Sequence, residues 1–280
     1  MQNPLLIQAI PHKDESPMSF LLRTAELNAH SSIFNLIGKE KYKSIIRQSL
    51  NYHISDMKRF TQVLEALNLD SSYKFLAFDR SRPTNRSPIM IGTIEVPHEL
   101  LELEGLRYCP TCLSEKAYLR KIWTLKPIHA CPIHSCLLID SCPQCKNFLL
   151  PKTGVLNCSR CGFKLDKGPV QKVKSMESIY WFLDILTHSS KEVFSDFASC
   201  WKAFNSFLKD DNSNTNENIF FKVYEYFSAP ETSAIKLSEN INSRSENSHP
   251  RILLLPFLKH KKLFNKHIKI TEKNSSEYRI

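Results

Sequence analysis

The 280-residue sequence is poor in glycine, with only six, and has none of the common glycine-rich binding motifs. GxGxxG, GxxxxGK[ST] and GxSxG are all missing, so dinucleotide-binding, nucleotide-triphosphate-binding and α/β-hydrolase functions have no support. The H-x-E element of zinc deaminases is also missing, because His98 is followed directly by Glu99. No other acid/base arrangement stands out. We therefore expect a protein that is not an enzyme.

The sequence also has little that would direct it to a membrane. The first residues, MQNPLLIQAIPHKDESP, have no basic stretch followed by a long apolar run, as a signal peptide would. RILLLPFLKH is too short to span a bilayer and is interrupted by Pro256. We expect a cytoplasmic protein with no membrane contact. In a reducing compartment, clustered cysteines are more often metal ligands than disulfides.

Positive charge is in excess, at +10 overall with a pI near 9.1. The excess is concentrated in two places. Residues 109–168 contain nine Lys/Arg against three Asp/Glu, and residues 251–280 contain eight against two. This balance suits a nucleic-acid or acidic-protein partner. The basic C-terminal tail has two open interpretations, nucleic-acid binding or solubility.

Helical periodicity flanks a cysteine-rich middle. Ser16 is a good N-cap and Pro17 suits the first helical position, so a helix is expected to begin there. Other helical patterns are SSIFNLIG closed by Gly38, SDMKRFTQVLEALNL, SSYKFLAF, SMESIYWFLDILTH, SSKEVFSDFASCWKAFNSFLK and ENIFFKVYEYF. One strand is expected at Ile89–Val96. The segment Asp56–Phe78 fits either a DNA-binding helix-turn-helix or helices that pack in a core.

In SMESIYWFLDILTH and SSKEVFSDFASCWKAFNSFLK, the apolar spacing predicts which helix face is buried. The expected faces are Met176, Ile179, Tyr180, Leu183 and Leu186, and then Val193, Phe197, Cys200, Phe204 and Leu208. Cys200 is read as a small buried hydrophobe.

The predicted fold class is mainly α, with small β zinc ribbons. We expect a helical N-terminal domain at residues 1–106, which includes the candidate helix-turn-helix. Tandem zinc ribbons follow at 107–168, C-terminal helices at 169–228, and a linker with a basic tail at 229–280.

Eight of the nine cysteines fall within 53 consecutive positions, and seven of these, together with His134, lie in pairs with metal-ligand spacing. Zn²⁺ takes four tetrahedral ligands, and two short-spaced pairs supply them. The predicted ligands form a Cys₃His set and a Cys₄ set: Cys109, Cys112, Cys131 and His134, then Cys142, Cys145, Cys158 and Cys161.

Eight donors fill two coordination shells, so both zinc ions are expected to be structural. A catalytic zinc would keep one position for water. A structural zinc instead supplies folding free energy on the order of 10 kcal/mol. Cys136 and His129 stay open as alternative ligands of the first site.

Three motifs follow one another in a fixed order. They are P-x-x-DES-x-x-SF-x-x-R-x-A-x-x-N from Pro11, R-Y-C-P-x-C-L-x-E-x-x-Y-x-R-x-x-W from Arg107, and C-P-x-H-x-x-x-L from Cys131, with C-P-x-C-K and C-x-x-C-G after them. Together they resemble the TniQ/TnsD family of transposition target-selection proteins. The resemblance covers roughly Pro11 to Leu165.

The resemblance implies a non-enzymatic adaptor of a multi-component DNA transposon. Such proteins recruit an AAA+ ATPase regulator, which in turn brings the transposase. Longer relatives bind a chromosomal attachment sequence directly. Some shorter ones dock, often as dimers, on a CRISPR effector complex that lacks nuclease activity. The expected partners are therefore the ATPase, the transposase indirectly, DNA, a CRISPR effector and a second copy, with the protein at the nucleoid. Because this sequence ends at residue 280, it favours the docking adaptor.

Five cations are candidates for contact with a partner or nucleic acid. They are Arg23, Arg107, Arg120, Lys121 and Lys126. Tyr118 and Trp123 are expected to pack around the first zinc site. The competing hypothesis is an autonomous, zinc-dependent, sequence-specific DNA-binding protein that recognises an attachment site or regulates transcription.

Overall fold

A computed structural model describes residues 7–37, 56–80, 87–102, 105–150, 154–207, 215–233 and 235–236. The chain divides into two compact units, Met1–Thr187 and His188–Ile280. The described residues are mainly helical and contain one small antiparallel sheet, which confirms the predicted fold class. The four-part domain division stays a prediction.

The first helix, α1 (Pro17–Leu27), begins where its capping residue predicts. Ser16 has extended backbone angles, and its hydroxyl accepts a hydrogen bond from the Ser19 N–H at 3.2 Å. Pro17 takes the first helical position, where its missing N–H leaves no partner unsatisfied. Met18 and Leu22 are fully buried, so α1 lies in the core of the first unit.

Two further helices of the first unit precede its sheet. Helix α2 (Ile33–Ile37) is short, and the predicted stop at Gly38 lies outside the described residues. Helix α3 (Met57–Ala66) is capped by Asp56, whose carboxylate accepts from the Arg59 N–H at 2.9 Å.

The segment Asp56–Phe78 does not form the helix-turn-helix that was one of its two interpretations. After α3 comes a 3₁₀ helix, Ser71–Leu76, instead of a second α-helix. A recognition helix needs several α-helical turns with an exposed face to enter the major groove. The 3₁₀ helix buries Leu76 and leaves Phe75 42% exposed, so it supplies no second α-helix of that kind.

The sheet has three short strands, β1 (Asp79–Arg80), β2 (Ile89–Ile91) and β3 (Ile94–Val96). The prediction of one strand over Ile89–Val96 is wrong, because Ile91 pairs with Ile94 across a two-residue turn. Gly92 begins that turn at φ +59°, a conformation that a side chain would disfavour. The sheet also lies outside the cysteine-rich block. In that block, the β structure of the described residues consists only of isolated β-bridges.

Backbone hydrogen bonds fasten the start of α1 to residues 118–121. The Ser16 N–H donates to the Leu119 carbonyl at 2.8 Å, and the Lys121 N–H donates to the Asp14 carbonyl at 2.7 Å. The Leu119 N–H donates in turn to the Ser19 hydroxyl at 2.8 Å. We call this contact between residues 12–19 and 118–121 the α1 clamp.

Side chains complete the α1 clamp. The Tyr118 hydroxyl donates to the Asp14 carboxylate at 2.8 Å, and the Arg120 guanidinium pairs with the same carboxylate. The His12 ring stacks on the Tyr118 ring at 4.1 Å between centroids. Residues separated by about a hundred positions in sequence are therefore held in one polar network.

Glu15 is a buried carboxylate at the centre of the α1 clamp. It accepts hydrogen bonds from the Ser19 hydroxyl at 2.7 Å, from the His12 N–H at 3.1 Å and from Arg23 at 2.6 Å. These three donors satisfy a charge that burial would otherwise penalise by several kcal/mol.

The C-terminal helices lie where the patterns predict, but their buried faces differ in detail. Helix α4 (Pro110–Glu115) lies in the cysteine-rich block, and helix α5 (Glu177–His188) follows it along the chain. Helix α5 buries Ile179 and Phe182, while Tyr180 is half exposed. Tyr180 was expected on the buried face. Its hydroxyl donates instead to the Pro132 carbonyl at 3.3 Å, so its polar tip stays at the surface.

The second unit contains α6 (Lys191–Phe207) and α7 (Asn216–Ser228). Phe197, Cys200 and Phe204 are buried in α6 as predicted, whereas Val193 is exposed and Phe194 is buried in its place. The buried face follows the 194, 197, 201, 204 spacing of one helical stripe. Leu208 lies outside the described residues. In the part of the chain described here, we find no helix with the length and apolarity needed to cross a bilayer.

The α1 clamp predicts a large loss of stability for Glu15→Ala. Removing the carboxylate leaves Arg23 without its partner in a mostly buried site, which should lower the free energy of unfolding by about 3 kcal/mol. Urea denaturation followed by circular dichroism measures this. Glu15→Gln keeps an acceptor oxygen, so it should lower the free energy of unfolding by less than Glu15→Ala does. Glu65→Ala, on the exposed side of α3, should change stability by less than about 0.5 kcal/mol. A Glu15→Ala protein as stable as wild type would contradict the role given to this carboxylate.

Candidate metal centres

The first cluster consists of Cys109, Cys112, Cys131 and His134, whose donor atoms all lie within 4.8 Å of one another. Helix α4 (Pro110–Glu115) supplies the first pair. Cys109 is its N-cap, and the Cys112 N–H points at the Cys109 sulfur at 3.4 Å. The Cys112 and Cys131 sulfurs are 3.6 Å apart, although they are 19 positions apart in sequence.

His134 enters the first cluster through its Nδ1 atom. That nitrogen lies 3.2 Å from the Cys112 sulfur, 3.5 Å from the Cys109 sulfur and 3.8 Å from the Cys131 sulfur. The other ring nitrogen, Nε2, lies 3.0 Å from the Glu115 carboxylate. A carboxylate partner of this kind fixes the tautomer and the ring orientation of a metal-binding histidine.

The two alternative ligands lie beside the first cluster. The Cys136 sulfur is 3.4 Å from the Cys109 sulfur and is fully buried, and burial raises its pKa to about 12. Cys136 nevertheless does not join the group in which every donor lies within 4.8 Å of every other. His129 directs its Nδ1 at the Pro127 carbonyl, 3.2 Å away.

The second cluster consists of Cys142, Cys145, Cys158 and Cys161. Its sulfurs pair across the two turns, Cys142 with Cys161 at 3.5 Å and Cys145 with Cys158 at 3.8 Å. Cys158 is buried, Cys145 is partly exposed and Cys161 is exposed. The second cluster is therefore closer to solvent than the first.

Three of the four ligand pairs share one turn geometry. In each, the residue after the second ligand returns an N–H to the carbonyl of the first cysteine, at 2.8 to 2.9 Å. That residue has positive φ in all three turns: Ser135 at 49°, Lys146 at 58° and Gly162 at 74°. The tight turn places two donors on the same side of the loop. The remaining pair, Cys109 and Cys112, uses the first turn of α4 instead.

The donor sets fit zinc in chemistry and in spacing. Tetrahedral Zn–S bonds of about 2.3 Å place neighbouring sulfurs about 3.8 Å apart. The cross-turn pairs lie at 3.5 to 3.8 Å. Both clusters could therefore hold zinc, as ribbon-type modules do, and zinc would supply a crosslink between distant turns.

Four of the five predicted contact cations have partners within the protein. Arg23 binds Glu15 at 2.6 Å, and Lys121 donates to the Phe75 carbonyl at 2.8 Å. Arg107 donates to the Trp123 and Leu125 carbonyls, and its burial lowers its pKa to about 10.

Arg120 pairs with Asp14 and lies beside the Cys112 sulfur. Lys126 is partly exposed, and its side chain has no partner within the described ranges. Contact of these five residues with a partner stays a prediction.

The sequence motifs contained Glu115 and Arg120 but did not show what they do. Glu115 reaches His134, and Arg120 links the first cluster to the α1 clamp through Cys112 and Asp14. The role of Glu115 could have been predicted, because it follows Cys112 by three residues on α4. Residues three apart lie on the same face of a helix. No local signal connects Arg120 with Asp14, because 106 positions separate them.

We expect zinc to leave the two clusters at different rates. The second cluster exposes Cys161, whereas the first has three buried cysteines, so a chelator should capture the second ion first. Stopped-flow release to a colorimetric chelator should show two phases of equal amplitude. Cys161→Ser should remove the fast phase and Cys112→Ser the slow one. A single phase in the wild type would contradict this order.

Glu115 should strengthen metal binding at the first cluster without being a ligand. Glu115→Gln should lower zinc affinity there by about 10- to 100-fold, because it weakens the orientation and basicity of His134. Competition with a chelator of known affinity measures this. Glu99→Gln, at a partly exposed glutamate outside both clusters, is the control and should bind zinc like wild type. Equal affinities for both variants would show that Glu115 does not position the ligand.

Comparison with known proteins agrees with the motif resemblance. Residues 6–138 match the family model TniQ. A comparison with curated proteins found no match. The matched residues contain α1, the α1 clamp and every donor of the first cluster, whereas the second cluster lies beyond them. The TniQ domain implies a transposition-associated role in target selection or DNA binding. Residues 6–138 of the chain therefore belong to the TniQ family.

Proposed function

We propose that the chain is a non-enzymatic adaptor that selects the target site of a multi-component DNA transposon. It links target DNA, or an RNA-guided CRISPR effector complex bound there, to an AAA+ ATPase regulator that recruits the transposase. The observation that carries the proposal is the TniQ match over residues 6–138, which includes the whole first cluster.

The chemistry of the clusters supports an adaptor. Each cluster has four protein donors, which is the full tetrahedral set for zinc. A zinc ion with four protein ligands has no position for a reacting water, so its contribution is to folding and rigidity. The proposed role for both ions is therefore structural.

The α1 clamp supports a rigid docking platform. Arg120 lies beside the Cys112 sulfur and pairs with Asp14, and Tyr118 and the backbone of residues 118–121 hold the start of α1. A partner that binds this region would meet α1 and the first cluster as one body. Such preorganisation reduces the ordering cost of association.

The adaptor hypothesis predicts that partner binding depends on an intact first cluster. The measurement is a gel-shift series over sodium chloride concentration, with target and random DNA, with and without the AAA+ ATPase of the same transposon. Alone, the protein should bind DNA weakly and with little sequence preference near 150 mM salt. With the ATPase, or with an effector complex, binding should become tight. Cys112→Ser should abolish this gain, whereas Cys200→Ser, outside both clusters, should keep it.

Tight, sequence-selective binding by the protein alone would overturn the adaptor. It would favour the autonomous DNA-binding protein instead. Magnesium-dependent cutting of DNA by the purified protein would overturn both.

A further inference from the structure

The second cluster belongs to a segment of unusual charge, residues 141–165, which we call the second ribbon. It contains four Lys/Arg and no Asp/Glu. It also begins after the TniQ match ends at residue 138. The family match therefore does not cover this segment.

The described cations of the second ribbon face solvent. Lys146, Arg160 and Lys164 are all exposed, and none forms an ion pair with the described residues. In the first cluster region, by contrast, Arg107 and Arg120 are bonded within the protein. The second ribbon therefore presents three exposed cations that are available to a partner.

Phe148 is the second unusual feature of the second ribbon, because 71% of its surface is exposed. The extended backbone at this position determines the exposure of the ring. Phe148 pairs with Ser141 in a β-bridge, and the next residue, Leu149, is buried. Successive side chains of an extended segment point to opposite sides, so burying Leu149 turns Phe148 outward.

The metal-binding turns keep the three cations and Phe148 near one another. Lys146 and Arg160 each adjoin a ligand cysteine, and Phe148 and Lys164 each follow one by three positions. Three residues span at most about 11 Å, so the Cα atom of each of these four residues lies within that distance of a ligand Cα atom. Zinc in the second cluster would tie both turns together.

We propose that the second ribbon binds single-stranded nucleic acid, with Phe148 stacked on an unpaired base and Lys146, Arg160 and Lys164 near the phosphates. Exposed cations alone would suit any phosphate backbone. An exposed aromatic ring adds a stacking surface that only an unpaired base can use fully. The inference rests on the proposed function only for the choice of nucleic acid as partner.

The first test compares stacking with charge in the full-length, zinc-loaded protein. Fluorescence anisotropy measures the affinity for a 12-nucleotide oligo(dT), for its duplex with oligo(dA), and for a strand of the same length with abasic sites. Phe148→Ala should weaken oligo(dT) binding at least about fivefold, because loss of one stacked base has an effect of that size or more. Abasic substitution should weaken the wild type similarly and add little to Phe148→Ala.

Two controls separate this effect from general damage. Phe221→Ala removes another partly exposed phenylalanine, on α7, and should bind oligo(dT) like wild type. Metal analysis should give the same zinc content for Phe148→Ala as for wild type, because the ring is exposed and its removal should leave the second cluster intact.

The second test measures phosphate contact through the salt dependence. Arg160→Gln and Lys164→Gln should each reduce the slope of log affinity against log salt by about 0.7 for single strands. Lys58→Gln, which removes an exposed charge on α3, should leave the slope unchanged.

Unchanged oligo(dT) binding by Phe148→Ala would overturn the inference. So would duplex binding as tight as single-strand binding, which would show contact with phosphates alone. The outcome is independent of the adaptor test. If the ATPase is recruited normally and Phe148→Ala has no effect on oligo(dT) binding, the proposed function holds and the inference fails. If Phe148→Ala weakens oligo(dT) binding but the ATPase is not recruited, only the inference holds.

Discussion

The middle of this chain brings four potential metal donors to one point in two places, and its turns are arranged around these two clusters. In the first cluster, residues from α4 meet Cys131 and His134 across about twenty positions. Arg120, which lies beside the Cys112 sulfur, pairs with Asp14, next to the cap of α1. The start of the N-terminal helix is therefore held by residues that follow the first cysteine pair and are distant from it in sequence.

The two clusters differ in what surrounds them, and this difference suggests separate tasks. The first is buried among internal hydrogen bonds, and the neighbouring Arg107 and Arg120 are both bonded within the protein, Arg120 as part of the α1 clamp. The second is more exposed and carries cations without internal ion pairs among the described residues, together with a solvent-facing Phe148. We interpret the first as the rigid part of an adaptor and the second as a contact surface. The TniQ match covers the first but not the second.

Local patterns in the sequence predicted the local features well. Cysteine spacing identified the donors that the structure brings together, and Ser16 with Pro17 gave the start of α1. The strand at Ile89–Val96 was wrong because an apolar run does not show a two-residue turn unless the φ of Gly92 is known. The outward position of Tyr180 depends on the Pro132 carbonyl, and the role of Arg120 depends on Asp14. These contacts join distant positions, so no periodicity reports them.

The central claim is that two closed, four-donor metal centres order this chain. Native mass spectrometry of the purified protein, with cobalt substitution to report coordination, tests it most directly. We predict two zinc ions per chain and, after substitution, tetrahedral cobalt spectra with no exchangeable water at either site. A folded protein that retains α1 packing with fewer than two ions, or an ion that carries an exchangeable water, would contradict the account.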